Sequence, residues 1–261
     1  MELSSALRLL DHADRSATLP RLGGMARADG VVIVSENHWA FAGVDGSLRE
    51  GRMPRPPRAA RHIPLVRGLV RLGMSLSPIF RRSGVTRRRE RWFLALAVVA
   101  PLILVVTPHT FSLVVGAATT VALVGWLLRG RTLYLHGAEH RAIAAAEERR
   151  LIETWHDVAR PTRFSLRCGT NFSALLLPLA IFGQRFWPLE TAAFTPLVVT
   201  VLALAVSMEL WQLVQSSSNR VARVFLFPGL ALQRVTTREP RLDETRVALR
   251  AVASVLRREL D

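Results

Sequence analysis

Residues 92–128 read WFLALAVVAPLILVVTPHTFSLVVGAATTVALVGWLL, with no formally charged side chain between Arg91 and Arg129 beyond what His109 carries. A helix needs about 20 apolar residues to cross a bilayer, so the run is long enough to cross twice. Thr107-Pro108-His109 interrupts it near the middle, and proline among polar residues marks a turn. The reading is a helical hairpin with helices near 92–107 and 110–128. A second pair follows: Asn171 to Gln184, which is short and carries Pro178, and Ala192 to Val214, whose one acid is Glu209. The short member is tilted, extended to Trp187, or re-entrant. The expected fold class is an α-helical integral membrane protein of about four transmembrane helices as two hairpins.

Arginine placement orients the hairpins. Arg81, Arg82, Arg87, Arg88, Arg89 and Arg91 precede the first helix, Arg129 and Arg131 follow the second, Arg160, Arg163 and Arg167 precede the third, and Arg220 and Arg223 follow the fourth. The opposite connections, near Pro108 and from Arg185 to Glu190, carry only Arg185 as a base. The positive-inside rule then puts both termini and the central loop in the cytoplasm of a multi-pass protein of the cell membrane. Trp92, Trp126, Trp187 and Trp211 fit as anchors at the membrane interface.

Composition agrees with a membrane class: half of the 261 residues are hydrophobic, and the apolar residues are blocked rather than dispersed. All 35 basic residues are arginine and the net charge is +15. That charge clusters beside apolar blocks, where anionic headgroups answer it, and no aromatic platform for bases or Gly-rich phosphate loop accompanies it; nucleic acid is not an expected partner. Cys168 is the only cysteine, which excludes an internal disulfide. Met1 to Leu22 has no apolar run of signal-peptide length.

Upstream, Val31 to Ser35 and His38 to Val44 are β-rich, with Asp45-Gly46 as a turn and Gly23, Gly24 and Gly30 as punctuation, a small β element. Residues 62–80 set Ile63, Val66, Val70 and Met74 against Arg67 and Arg71, as in a helix lying in the headgroup layer or on a soluble surface. Asp243 reads as the cap of a helix through about Leu256 with Val247, Ala251, Val252 and Val255 on one face. The segments are then 1–60, N-terminal with the β element; 61–90, a basic juxtamembrane helix; 91–129, the first hairpin; 130–171, a cytoplasmic loop; 172–218, the second hairpin; and 219–261, a C-terminal segment with a helix.

His136-Gly137-Ala138-Glu139-His140 lies in the polar sequence between the hairpins. On a helix, residues at i, i+3 and i+4 share a face, so two imidazoles and a carboxylate project together. Catalytic zinc takes three protein ligands and keeps a position for water. His136 and His140 supply two. Glu139 is placed to take a proton from water, as the glutamate of the H-x-x-E-H pattern does. Cys168, a soft thiolate donor, and Glu209, an acid costly to leave unpaired in a membrane segment, compete as further ligands. Their structural readings are a small packed residue and a partner for an arginine such as Arg220. His156 is a ligand, a proton shuttle, or a solvated loop histidine.

In order along the chain, Gly23-Gly24 with Asp29-Gly30-Val31, Ile63-Pro64 with Arg67-Gly68, His136-Gly137-Ala138-Glu139-His140-Arg141, Arg167-Cys168-Gly169-Thr170-Asn171-Phe172, Ser207-Met208-Glu209-Leu210, and Pro228-Gly229-Leu230 with Gln233 and Thr236-Thr237-Arg238-Glu239-Pro240 resemble the YqhQ-like family of bacterial membrane proteins, a domain of unknown function. That resemblance implies a metal-dependent enzyme. Two positions depart from the family pattern: Ser165 stands where a histidine is expected, and Asp29 where glutamate is usual. The expected function is a metal-dependent hydrolase of zinc type, with His136, His140 and Cys168 or Glu209 as ligands and Glu139 as general base. It would work at the cytoplasmic membrane face on a membrane protein or peptide. The alternative is a non-enzymatic membrane scaffold or assembly factor in which the same cluster is structural.

Overall fold

The structure is a computed structural model that describes residues 3–81, 84–104, 109–188, 194–216 and 224–260. Its elements in order are α1 (Leu3–Arg15), β1 (Gly23–Arg27), β2 (Gly30–Val34), β3 (His38–Gly43), β4 (Leu48–Arg52), α2 (Val66–Ser75), α3 (Ser77–Phe80), α4 (Arg88–Leu104), α5 (His109–Leu127), α6 (Thr132–Glu147), α7 (Leu151–Trp155), α8 (Gly169–Arg185), α9 (Thr195–Ser216), α10 (Phe227–Thr236) and α11 (Leu242–Leu260). They form two compact units. The first gathers 1–55, 127–168 and 230–261; the second holds 56–126 and 169–229.

In the first unit an antiparallel sheet in the order β1-β2-β3-β4 is backed by α6 and α11. Alternation decides its inner face: Val31 and Ile33 of β2, paired with Ala42 and Ala40 of β3, are buried in one core with Leu135, Ala138 and Ala142 of α6 and Leu249, Val252 and Leu256 of α11. Each such leucine contributes roughly 1.5–3 kcal/mol by leaving water. The other face is covered by Trp39 and Phe41, whose rings lie where side chains at Gly51 and Gly30 would be. The β2 and β3 expectation is met, and the Asp45-Gly46 turn joins β3 to β4, with Gly46 at φ +87° and Asp45 accepting from Ser47. Gly23-Gly24 is not punctuation but the start of β1.

The helix from Leu242 exceeds its expected end, reaching Leu260, and Ala251, Val252 and Val255 are buried as the pattern requires. Its cap differs: Glu244 accepts the Arg241 N–H at 2.9 Å, and Asp243 instead meets Arg131. The last turns of α11 are tied to the sheet by Glu50. Arg258, then Ser254 and Arg257, hold the Glu50 carboxyl down at about 2, against the opposing effect of burial. A depressed carboxyl contributes stability that is complete above about 4.5 and is lost as pH falls through about 2. Allowing for its partial exposure, Glu50→Gln is expected to cost about 2 kcal/mol at pH 7 and nothing near pH 2, read by urea titrations across that window.

The second unit corrects the expected fold class. Among the described residues only Thr195–Gln215, in α9, is long and apolar enough to cross a membrane, so the chain does not form four transmembrane helices as two hairpins. Hydropathy overran the helices. The first turn of α4 is Arg88, Arg89, Glu90 and Arg91; α5 opens with His109-Thr110; α8 has 17 residues, begins Gly169-Thr170-Asn171 and contains Pro178. The α8–α9 pair does pack closely, with Gly183 against Val199. The break at Thr107-Pro108, residues 189–190 of the second connection, and Arg82, Arg220 and Arg223 lie outside the described residues. Residues 62–80 hold α2 and α3. Gly68 packs on Met208 and Ala205 of α9, leaving Ile63 and Phe80 exposed.

Candidate metal centre

The expected loop 130–171 is largely helix. α6 is rich in alanine and free of proline, and it is buried on nearly every side, so it runs as a central helix rather than a surface one. It ends where Arg149 turns left-handed at φ +58° and Arg150 N–H reaches back to the Ala145 carbonyl at 2.8 Å.

Within α6 the two histidines are neighbours, with ring centroids 4.5 Å apart. Each is aimed by a carbonyl from outside the helix. His136 Nδ1–H donates to the Thr236 carbonyl at 2.9 Å and His140 Nδ1–H donates to the Arg163 carbonyl at 2.6 Å. A carbonyl only accepts, so both rings carry the proton on Nδ1 and expose a lone pair on Nε2. His136 Nε2 lies 3.2 Å from Cys168 Sγ, and His140 Nε2 is buried with no hydrogen-bond partner among the described residues. Ligand atoms of His136, His140 and Cys168 all fall within 4.8 Å of one another. An orphaned buried imidazole nitrogen is unfavourable unless something binds it. Two imidazoles and a thiol suit zinc, and the carbonyl-bound Nδ1 groups are the outer partners that metal-ligating histidines use.

The supporting shell comes from segments that the sequence left as undifferentiated tail and loop. Gln233 of α10 is fully buried and clamps Ser165, accepting its N–H at 2.8 Å and donating to its carbonyl at 2.7 Å, which fixes the loop before Cys168. Ser165 thus acts through its backbone, while its hydroxyl accepts from Arg167 N–H. The buried Arg141 donates to the Pro161 and Pro240 carbonyls and pairs with Glu239, which also meets Arg163, the residue whose carbonyl holds His140. A motif pairing Gln with Thr-Thr-Arg-Glu-Pro near the chain's end was the available signal for this shell.

Glu139 is 4% exposed and lies against β1: a Cβ at Gly24 would come within 2.8 Å of its Cγ. Burial pushes its carboxyl up to about 7. It shares the helical turn of the imidazoles without belonging to the mutually adjacent ligand atoms. Glu209 has a different engagement. In the second unit its carboxylate takes Arg67 Nε at 2.9 Å and Nη2 at 2.6 Å and the Leu65 N–H at 3.2 Å. The arginine pairing expected of Glu209 is therefore made, by Arg67. His156 is exposed at the C-terminal cap of α7 and is outside the cluster.

A family model described as a protein of unknown function, DUF1385, matches residues 93–258. The chain belongs to the DUF1385 family. It is also 25% identical over 303 residues, covering 92% of this chain and 93% of the relative, to the uncharacterized protein YqhQ of Bacillus subtilis (strain 168). No solved structure matches. The DUF1385 match spans all three clustered residues together with Glu139, Gln233 and Thr236, whereas Gly24 precedes it.

Proposed function

We propose that this DUF1385 protein is a metal-dependent hydrolase of zinc type, with the ion held by His136 Nε2, His140 Nε2 and Cys168 Sγ. The observation that carries the reading is the pair of Nε2 atoms left by Nδ1–H bonds to backbone carbonyls, on two rings whose ligand atoms lie within 4.8 Å of one another and of one thiol. Bound zinc supplies Lewis acidity, which makes water acidic enough to attack near neutral pH. Cys168, His136 and His140 are three ligands, the number that leaves a coordination position open in catalytic sites. Glu139 takes the attacking water's proton and returns it to the leaving group; its burial keeps bulk water from competing for that proton. The substrate class we assign is a peptide bond presented at a membrane.

The membrane reading rests on the second unit's surface. Trp92, Phe111, Val121, Leu177, Phe182 and Leu213 are all more than half exposed, which is more apolar surface than water tolerates without a partner. The arginines around α4 favour the cytoplasmic face of the cell membrane.

Purified full-length chain is expected to carry stoichiometric zinc by elemental analysis. His140→Ala and Cys168→Ser should each weaken zinc binding about tenfold or more, and chelation should abolish cleavage of a fluorogenic peptide library, with zinc restoring it. Wild-type zinc content in a His136→Ala plus His140→Ala protein would end the metal assignment. Zinc bound without any cleavage across that library would reassign the centre to a structural, scaffold role.

A further inference from the structure

A second polar constellation lies in the first unit, apart from the metal ligands. His38 opens β3 and Arg52 closes β4, and the register sets the two directly opposite each other. Directly opposed residues of an antiparallel pair project from the same face with Cβ atoms about 5 Å apart, where two basic groups are unfavourable without a negative charge nearby. Glu259, from the last turn of α11, answers only the histidine. His38 Nδ1–H donates to it at 3.0 Å, and the same carboxylate accepts Ser35 Oγ, the Asn37 N–H at 3.3 Å and Asn37 Nδ2 at 3.1 Å. Its side chain is 10% exposed. Four donors from the β2–β3 turn and its flanks engage the carboxylate, and no ion pair joins it to Arg52 among the described residues.

Arg52 and, three residues on, Arg55 are exposed, and neither forms an ion pair among the described residues. With Asn37, His38 and Met53 they line a cavity of about 470 Å³. Nδ1–H bonding to Glu259 holds the His38 ring at the edge of that cavity. Two guanidinium groups and an imidazole are thus gathered around one space, with the Glu259 carboxylate engaged by the β2–β3 turn and Glu50 by Arg257 and Arg258.

We propose that this cavity binds the phosphate group of a phosphate monoester, with Arg52 and Arg55 as the charge-assisted donors and His38, held by Glu259, as part of the lining. Planar guanidinium donors match phosphate oxygens in pairs, and two guanidinium charges match a phosphate dianion better than a carboxylate monoanion. The volume exceeds what a bare phosphate fills, so it takes an organic ester with a small body. Such a group is carried either by a soluble metabolite or by a lipid whose headgroup ends in a phosphate.

The test uses the full chain, with glycerol phosphate followed by calorimetry, and with flotation on phosphatidylcholine vesicles with or without phosphatidic acid. Saturable binding is expected, weakened about tenfold or more in Arg52→Ala plus Arg55→Ala and unchanged by the same loss of charge at Arg8 and Arg234. Both arginines are exposed, so the double variant should keep the wild-type circular dichroism and melting temperature. Binding to glycerol phosphate alone identifies a soluble ligand; a requirement for phosphatidic acid identifies the lipid. His140→Ala should bind as wild type does, which separates this site from the metal centre. No saturable binding to either probe, or equal weakening by the Arg8 and Arg234 changes, overturns the proposal.

Discussion

Gly137→Ala is expected to destabilise the protein by about 2–3 kcal/mol and to weaken zinc binding about tenfold or more, although glycine to alanine inside a helix ordinarily stabilises by up to about 1 kcal/mol. The sign is decided by what a Cβ would meet. At Gly137 it would lie 2.1 Å from the Arg238 carbonyl oxygen and 3.2 Å from Pro240 Cδ. The first of these is backbone, and it cannot rotate away as a side chain does. The segment is also pinned, because Arg238 N–H donates to the Leu133 carbonyl at 2.9 Å. Relief therefore requires residues 236–240 to move as a piece, and that piece carries the Thr236 carbonyl of His136 and the Glu239 and Pro240 contacts of Arg141. Gly73 in α2 is the control, since a Cβ there meets nothing within 4 Å. Gly73→Ala should be neutral or mildly stabilising. Equal melting temperatures and zinc contents for Gly137→Ala and wild type would show that the 236–240 segment does not set the geometry of the centre.

That glycine also shows which parts of the molecule a sequence discloses. The i, i+3, i+4 spacing of His136, Glu139 and His140 is a property of one helix, and it was readable because nothing distant is needed to produce it. Cys168 was readable only as a competitor with Glu209. What separates them is a long-range fact: Arg67 occupies the Glu209 carboxylate from 142 residues away in sequence. Gly24 read as punctuation because glycine is common in turns, whereas its place in β1 is explained by the Glu139 side chain lying where a Cβ would be. The shell of Thr236, Gln233 and the Arg163 carbonyl works mainly through backbone atoms, which every residue carries and which side-chain patterns cannot reveal. The four-span expectation failed for another reason. Hydropathy averages over a run and does not register that the charged turn of α4 or Pro178 in α8 subtracts from the length available to cross a bilayer.

Glu139→Gln is expected to keep its zinc and to lose peptide hydrolysis about a hundredfold or more, because glutamine preserves shape and burial but cannot accept and return a proton. The metal-free protein should respond with the opposite sign. Glu139 is buried, and burial holds its carboxyl at about 7 against the ordinary 4.5. Between those values the native chain binds more protons than the unfolded one, so stability falls as pH rises through the window. The cost of ionisation is absent below about 4.5 and complete above about 7, where it amounts to about 3 kcal/mol. Glutamine carries no such cost. Wild type and variant should therefore melt together at pH 4.5 and diverge above it, with the variant the more stable by pH 8. A residue kept ionisable at this expense to the fold is better explained by chemistry than by packing. Matching pH profiles of stability would remove the strain from Glu139, and undiminished hydrolysis by the variant would remove its role as the base.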